Sequence, residues 1–348
     1  MSGSAAAQEL SSLKPGDIAA VPAEVVARIG AARSVLTVCH ENPEADALGS
    51  ALAVALAVEQ LGGQATPVCS DVVPPMYGFM PRIERFRQDP EPGRDYDLIV
   101  VGDCGDLARV GSVLGRHAEL FGRVPIVNID HHVSNSGFGA VDWVDATAAA
   151  TCEMDTLLMP ALGVPLDAAE GAIAASLMAG VVIDTANFQH PNVTPRTLRV
   201  AAELVAAGAP LSETARRIYR TKPNRQLKLF GLVLGRLSEE LDGRLVSSVL
   251  SEADYAATGA GAEDAEGLSD LLSQSASAAL MILFREAGGR TKISVRTRDG
   301  GEDATVLTGR FGGGGHARAA GATLEQPLNE AVETVLSAAR QMLIAGRA

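Results

Sequence analysis

Cysteine is scarce and never paired. Cys39, Cys69, Cys104 and Cys152 stand singly inside apolar stretches with no CxxC spacing, which argues against a disulfide framework or a zinc–thiolate centre. Reduced, buried thiols in a cytoplasmic protein are expected. Positive charge is also short: 29 Lys plus Arg face 42 Asp plus Glu, a net charge of −13. Affinity for long nucleic acid comes from many cation–phosphate contacts, so a surface built to coat long duplexes is excluded, while short or single nucleotides remain open. No apolar run reaches the ~18 residues that a membrane span needs. The opening "MSGSAAAQELSS" lacks a charged segment followed by an apolar core, and residues 1–19 read as a flexible tail, not a signal peptide. There is no internal repeat. The single tryptophan, Trp143, is expected to pack in the core and not to serve as a stacking platform.

What remains is a chain of 348 residues, 47% hydrophobic, enough for two moderate cores. Strand-like runs lie at 34–39, 64–69, 97–102 and 124–129. Helix-like segments lie at 46–61, 107–120, 146–162, 167–183 and 195–207, the last framed by Thr194, Pro195 and Gly208. The alternation predicts an α/β fold with a doubly wound parallel sheet over residues 20–208. Residues 209–240 read as a helical linker. They carry "RRIYRTKPNRQLK", six cations without an acid, read as a solvated helix face. Residues 241–348 read as a second, smaller α/β domain with a strand at "GRLVSSVL", a hairpin turning at Gly288-Gly289, the glycine run "GGGGHARAAG" and a closing helix over about 328–345.

The first strand leaves the sheet through "HENPEAD", which holds His40, Glu44 and Asp46. Asp103 follows the third strand, Asp130, His131 and His132 follow the fourth, and Asp184 ends a helix in "VVIDTANF". Any one of these is ordinary, since an Asp at a strand end usually caps the next helix. Together they send carboxylates from separate segments to one edge of the sheet, where they would repel one another without a cation. Carboxylates with a minority of imidazoles and no thiolate suit Mn²⁺, with Mg²⁺ as the alternative. Two such ions ~3.5–4 Å apart clamp a phosphoryl oxygen and activate water, the chemistry of phosphoester hydrolysis.

"HENPEAD", the strand ending at Asp103, "DHH" at 130–132, Asp184 and "GGGGHARAAG" resemble the motifs of the DHH phosphoesterase superfamily with its DHH-associated C-terminal domain. The "DTANFQHPNVTPRTL" and "VRTR" segments look like its bifunctional oligoribonuclease and pAp (3'-phosphoadenosine-5'-phosphate) phosphatase branch. The resemblance spans residues 20–346. It implies one ion held by His40, Glu44 and Asp103, and a second held by Asp46, Asp103, His131 and Asp184, with Asp103 bridging. It also implies His132 as electrostatic stabiliser or leaving-group acid, Asp130 as the group that orients the histidines, and a homodimer. Glu44 departs from the Asp usual there. In the second domain, Gly313, Gly314 and Gly315 let backbone N–H groups approach a phosphate beside His316 and Arg318, and the resemblance adds Arg296. The expected substrates are short RNA oligonucleotides, pAp, pApA and cyclic di-AMP. A RecJ-like exonuclease on longer single strands is the alternative within this chemistry, and a catalytically silent nucleotide sensor the alternative outside it.

Overall fold

The computed structural model describes Gly16, residues 20–298 and residues 301–345; the expected tail at 1–19 otherwise lies outside the described residues. The chain divides into two compact units, Met1–Thr221 and Lys222–Ala348. That boundary falls within the stretch expected as a linker.

In the first unit, α1 (Ala23–Ala31), β1 (Ser34–Val38), α2 (Ala45–Gln60), β2 (Gln64–Val68), β3 (Leu98–Gly102), α3 (Ser112–Arg116), α4 (Ala118–Arg123), β4 (Ile126–Asp130) and β5 (Val141–Val144) are followed by α5 (Thr151–Ala161), α6 (Ala172–Asp184), α7 (Pro195–Ala206) and α8 (Leu211–Tyr219). All pairings of the sheet are parallel and the strand order is β2-β1-β3-β4-β5. The inner strands β3 and β4 are buried along their whole length, as continuous β-branched runs covered on both faces must be. Helix α2 is buried from Ala45 to Val58, because an Ala/Leu/Val helix that is apolar all round has no face for water. It packs on α5 and α6, where small residues allow close approach. A methyl group on Gly180 of α6 would strike the Asp46 carboxylate and the Cys152 sulfur. Trp143 and all four cysteines are buried, and the cysteines are unpaired. Helix α8 packs on α6 and so belongs to this unit.

The helix expected at 107–120 is broken into a 3₁₀ turn, α3 and α4. The break is at Gly111, whose φ of 78° suits glycine, and where a side chain would run into Glu41 and Ser70. The helices expected from 146 and 167 begin instead at Thr151 and Ala172.

The second unit holds α9 (Asn224–Leu234), β6 (Ser238–Glu240), β7 (Leu245–Leu250), α10 (Glu252–Thr258), α11 (Leu268–Leu272), β8 (Leu280–Ala287), β9 (Arg290–Thr297), α12 (Ala304–Gly309), β10 (Gly314–His316), β11 (Ala319–Leu324) and α13 (Leu328–Ala345). Its sheet, in the order β10-β11-β9-β8-β7-β6, is antiparallel except between β7 and β8. Leu280, Ile282, Phe284, Ile293 and Val295 pack under α13 on one face, while α9 and α11 pack around Leu250 and Leu283 on the other. No helix among the described residues is long and apolar enough to cross a membrane.

Candidate metal centre

Strand order 2-1-3-4-5 reverses direction between β1 and β3, and in open α/β sheets the crevice at such a reversal, beyond the carboxyl ends of the strands, is where ligands bind. His40 follows β1 and Asp103 follows β3, so the topology alone puts them side by side. Asp103 has a φ of 57°, a left-handed turn that Asp tolerates better than most residues. Its Oδ2 lies 3.5 Å from His40 Nε2, and its Oδ1 lies 3.5 Å from His131 Nε2.

All six expected metal ligands come together. His40, Glu44 and Asp103 each offer one atom to a group whose members lie within 4.8 Å of one another; Asp46, His131 and Asp184 form another such group, and Asp103, His131 and His132 a third. Glu44, despite its extra methylene, has Oε1 3.4 Å from His40 Nε2. His131 Nε2 lies 3.1 Å from Asp184 Oδ2. Each imidazole is oriented from behind: His40 Nδ1 donates to Glu41 O at 2.7 Å, and His131 Nδ1 to Ala148 O at 3.3 Å. That fixes the tautomer and leaves Nε2 of both rings turned to the carboxylates. Asp46 is fully buried and accepts from the backbone N–H groups of Thr151 and Cys152 at 2.7 and 2.9 Å. The first turn of α5 thus pins it.

Asp130 does not join the three groups. Fully buried, it accepts from His132 Nδ1 and Asn135 Nδ2, both at 2.6 Å, and from the His131 backbone N–H at 2.9 Å. Sequence reading missed several supporting residues. Asn135 lies three residues past "DHH". Thr151 donates to Asp103 Oδ1 at 3.1 Å, and Asn192 Nδ2 bridges Ala149 O and Asp184 O. Tyr219 donates to Val182 O and Ile183 O in the last turn before Asp184. Such contacts span up to 48 residues of sequence and leave no local signal.

The electrostatics test whether cations fit. Burial pushes the Asp46 carboxyl well up, and Asp184 and Asp103 push it further. Burial likewise raises Glu44 and Asp184, with Asp103 adding repulsion to each. Burial opposes protonation of the histidines, but hydrogen bonds to Asp103 and Glu44 carry His40 up to about 10, and bonds to Asp103 and Asp184 carry His131 up to about 12. Burial would raise Asp103 too, but the two histidines hold it far below the usual carboxylate range. The cluster thus holds more buried carboxylate than it can keep ionised without positive charge beside it. Asp103 Oδ2 is buried and is met by His40 Nε2 only at a long 3.5 Å, short of a well-formed hydrogen bond, the condition expected of an oxygen reserved for a cation. The donor set fits divalent metal.

Behind the centre, Asp155 of α5 is fully buried, with the Ser50 hydroxyl beside it. Burial pushes it up to about 7 against the pull of the Ser50 hydroxyl, with Asp103 adding to the rise. In the unfolded chain the same group ionises near pH ~4. The folded protein therefore keeps a proton that the unfolded chain has lost across that window. Its full contribution to stability is present below pH ~4, declines as pH rises, and reaches a deficit of about 4 kcal/mol above pH ~7. Asp155→Asn is expected to raise the melting temperature in chelator strongly at pH 8 and hardly at pH 4.5. A pH-independent change would contradict this.

In the second unit, "GGGGHARAAG" forms a tight hairpin. Gly315 pairs with Ala320 and His316 with Ala319, and Ala319 in turn faces Arg296 of β9. Val295 points into the core, so Arg296 and His316 project from the opposite face of the sheet, with only Ala319 between them. A Cβ on Gly313 or Gly315 would strike the backbone of β11, whereas Gly314 borders open space. Arg318 donates to Thr297 Oγ1 and to the carbonyls of Arg298 and Glu302, and so braces the chain between β9 and α12.

Comparison with known proteins agrees with this anatomy. The model of the DHH family, N-terminal domain, matches residues 34–182, and that of the DHHA1 domain matches residues 243–345. The bifunctional oligoribonuclease and PAP phosphatase NrnA of Thermus thermophilus is 35% identical over 307 residues, covering 87% of this chain and 88% of that protein. The protein of the same name from Bacillus subtilis is 26% identical over 312 residues, covering 86% and 92%. The crystal structure of an exopolyphosphatase-related protein from Bacteroides fragilis superposes with a TM-score of 0.79 at 20% identity, over 94% of this chain and 96% of its own, a likeness of fold. With the two domain matches in order along the chain and a relative of this identity aligned nearly end to end, the chain belongs to the DHH family of phosphoesterases and carries the DHHA1 domain as its second part.

Proposed function

We propose that the protein is a two-metal phosphoesterase that hydrolyses short oligoribonucleotides, and pAp to AMP. The observation that carries this reading is the position of Asp103, whose carboxylate belongs both to the group with His40 and Glu44 and to a group with His131. One ion would be held by His40, Glu44 and Asp103, and the other by Asp46, Asp103, His131 and Asp184; Mn²⁺ suits this mixture of carboxylate and imidazole better than Mg²⁺. Such a pair supplies Lewis-acid clamping of phosphoryl oxygens and a water of lowered pKa. The bond to Asp130 raises the His132 imidazole above its usual value against the opposing effect of burial, which suits it to donation toward the scissile phosphate or the leaving oxygen. In the second unit Arg296 and His316 supply the cationic and hydrogen-bonding groups for a nucleotide's other phosphate, and the open backbone at Gly314 allows close approach. The net charge of −13 favours short substrates.

The test is a panel of pAp, pApA, cyclic di-AMP and RNAs of graded length, compared by kcat/KM. Activity should vanish in chelator and return best with Mn²⁺, weakly with Mg²⁺. It should also fall as RNA length grows. Full turnover in chelator, or a preference for long single strands, would overturn the proposal.

A further inference from the structure

Arg296 does not face its surroundings unopposed. Its Nε donates at 3.1 Å to Oδ1 of Asp270, the middle residue of the short helix α11, which packs on β8 and β9. The Asp270 side chain is 68% exposed and that of Arg296 28%. A pair this exposed contributes roughly 0–1 kcal/mol to stability, so it is easily given up. On one side Arg296 pairs with Met281 of β8, and toward β11 and β10 the sheet face carries small residues. Ser294, Gly321 and Gly314 form one cross-strand row, and Arg296, Ala319 and His316 the next. An anion settling in this shallow trough meets Arg296 with a carboxylate already on it.

We propose that Asp270 is a displaceable counter-ion that sets the charge a ligand must bring to engage Arg296. This inference rests on the reading of Arg296 as a phosphate-binding residue. A terminal phosphate monoester, with close to two negative charges and three acceptor oxygens, outcompetes a single carboxylate for the guanidinium fork. A monoanionic diester linkage has little advantage over it. Asp270 therefore weakens binding of every anion, and it weakens diesters relatively more than terminal monoesters, so that nucleotides with a free terminal phosphate are favoured over those without one.

The experiment measures kcat and KM at low and moderate ionic strength for pAp and for the trinucleotide ApApA, whose second phosphate is a diester and which has no terminal phosphate, with wild type, Asp270→Asn, Arg296→Ala and the double variant. Asn keeps the size and an acceptor oxygen while removing the charge. Asp270→Asn is expected to lower KM for both substrates, about threefold or more for ApApA and less for pAp, with kcat unchanged and the gain shrinking as salt rises. The gain should disappear in the Arg296→Ala background. If Arg296→Ala raises KM for pAp while Asp270→Asn changes neither substrate, the counter-ion role is overturned and the substrate reading of Arg296 stands. If Arg296→Ala leaves KM for pAp unchanged, both fall. Equal melting temperatures of wild type and Asp270→Asn establish that the exposed substitution has not disturbed the fold.

Discussion

Replacing Asp103 with Ala should abolish turnover, by about three orders of magnitude or more, and should abolish Mn²⁺ binding with it. Asp103 is the single carboxylate that joins the His40–Glu44 side of the centre to the His131 side. Without it the two halves have no shared oxygen, and neither imidazole keeps its central partner. Ala is also a poor occupant of a backbone with φ near 57°, so part of the loss would come from strain. Asp103→Asn separates the two effects, since Asn tolerates that conformation and keeps the shape but removes the charge; it should match Ala in activity and keep the melting temperature closer to wild type. His132→Ala provides the contrast. His132 Nδ1 is 3.8 Å from Asp103 Oδ1 and is bonded instead to Asp130. It should retain Mn²⁺ and lose about 10²-fold or more in kcat. Isothermal titration with Mn²⁺ and steady-state rates decide the matter. Equal loss of Mn²⁺ in His132→Ala and Asp103→Asn would contradict the division of roles.

The parts of this centre that the sequence disclosed are those whose signal is local. Strands β1 to β4 announce themselves as β-branched runs, and a histidine or carboxylate just past the end of such a run has few places to go in a parallel sheet except the carboxyl edge. That is why His40, Asp103 and His131 are readable from the sequence as one cluster, whereas Asp184, at the end of helix α6, joins them without such a strand signal. Strand β5 was not readable: it has four residues, alternates buried and exposed, and pairs on one side only, so its composition looks like that of a loop. The glycine run was readable as a place of close approach, but not which partner approaches. Gly313 and Gly315 turn out to be crowded by β11, a consequence of strand pairing. The charge-rich 216–228 stretch looks unopposed in sequence because its acids lie outside it. Arg216 and Arg217 are paired with Glu213, and Arg225 with Asp264.

The loop between β5 and α5 shows how far such hidden partners reach, and it motivates a large loss of stability in the first unit. Ala148 O in this loop orients His131, and Ala149 O is bonded to Asn192. What fixes the loop is Glu153, fully buried on α5, which accepts from Arg196 Nε at 2.5 Å, Thr197 Oγ1 at 2.6 Å and the Ala149 N–H at 3.3 Å. Arg196 also donates through Nη1 to Asp145 at 2.8 Å and so clamps both ends of the loop onto α7. Removing one partner of a buried pair strands the other, and Arg196→Ala should therefore cost about 3–5 kcal/mol. For a unit of this size that is a fall of about 10 °C in melting temperature. Below that temperature kcat should still drop about tenfold or more, because the His131 ring loses its fixed support. Glu153→Gln added to Arg196→Ala removes the stranded charge and should recover much of the stability but not the rate, since the loop stays unclamped. Calorimetry and Mn²⁺-dependent turnover on the three proteins test both halves. A melting temperature for Arg196→Ala within about 2 °C of wild type, less than the shift for 1 kcal/mol, would mean that the loop is held by its backbone alone and that Arg196 is a surface residue.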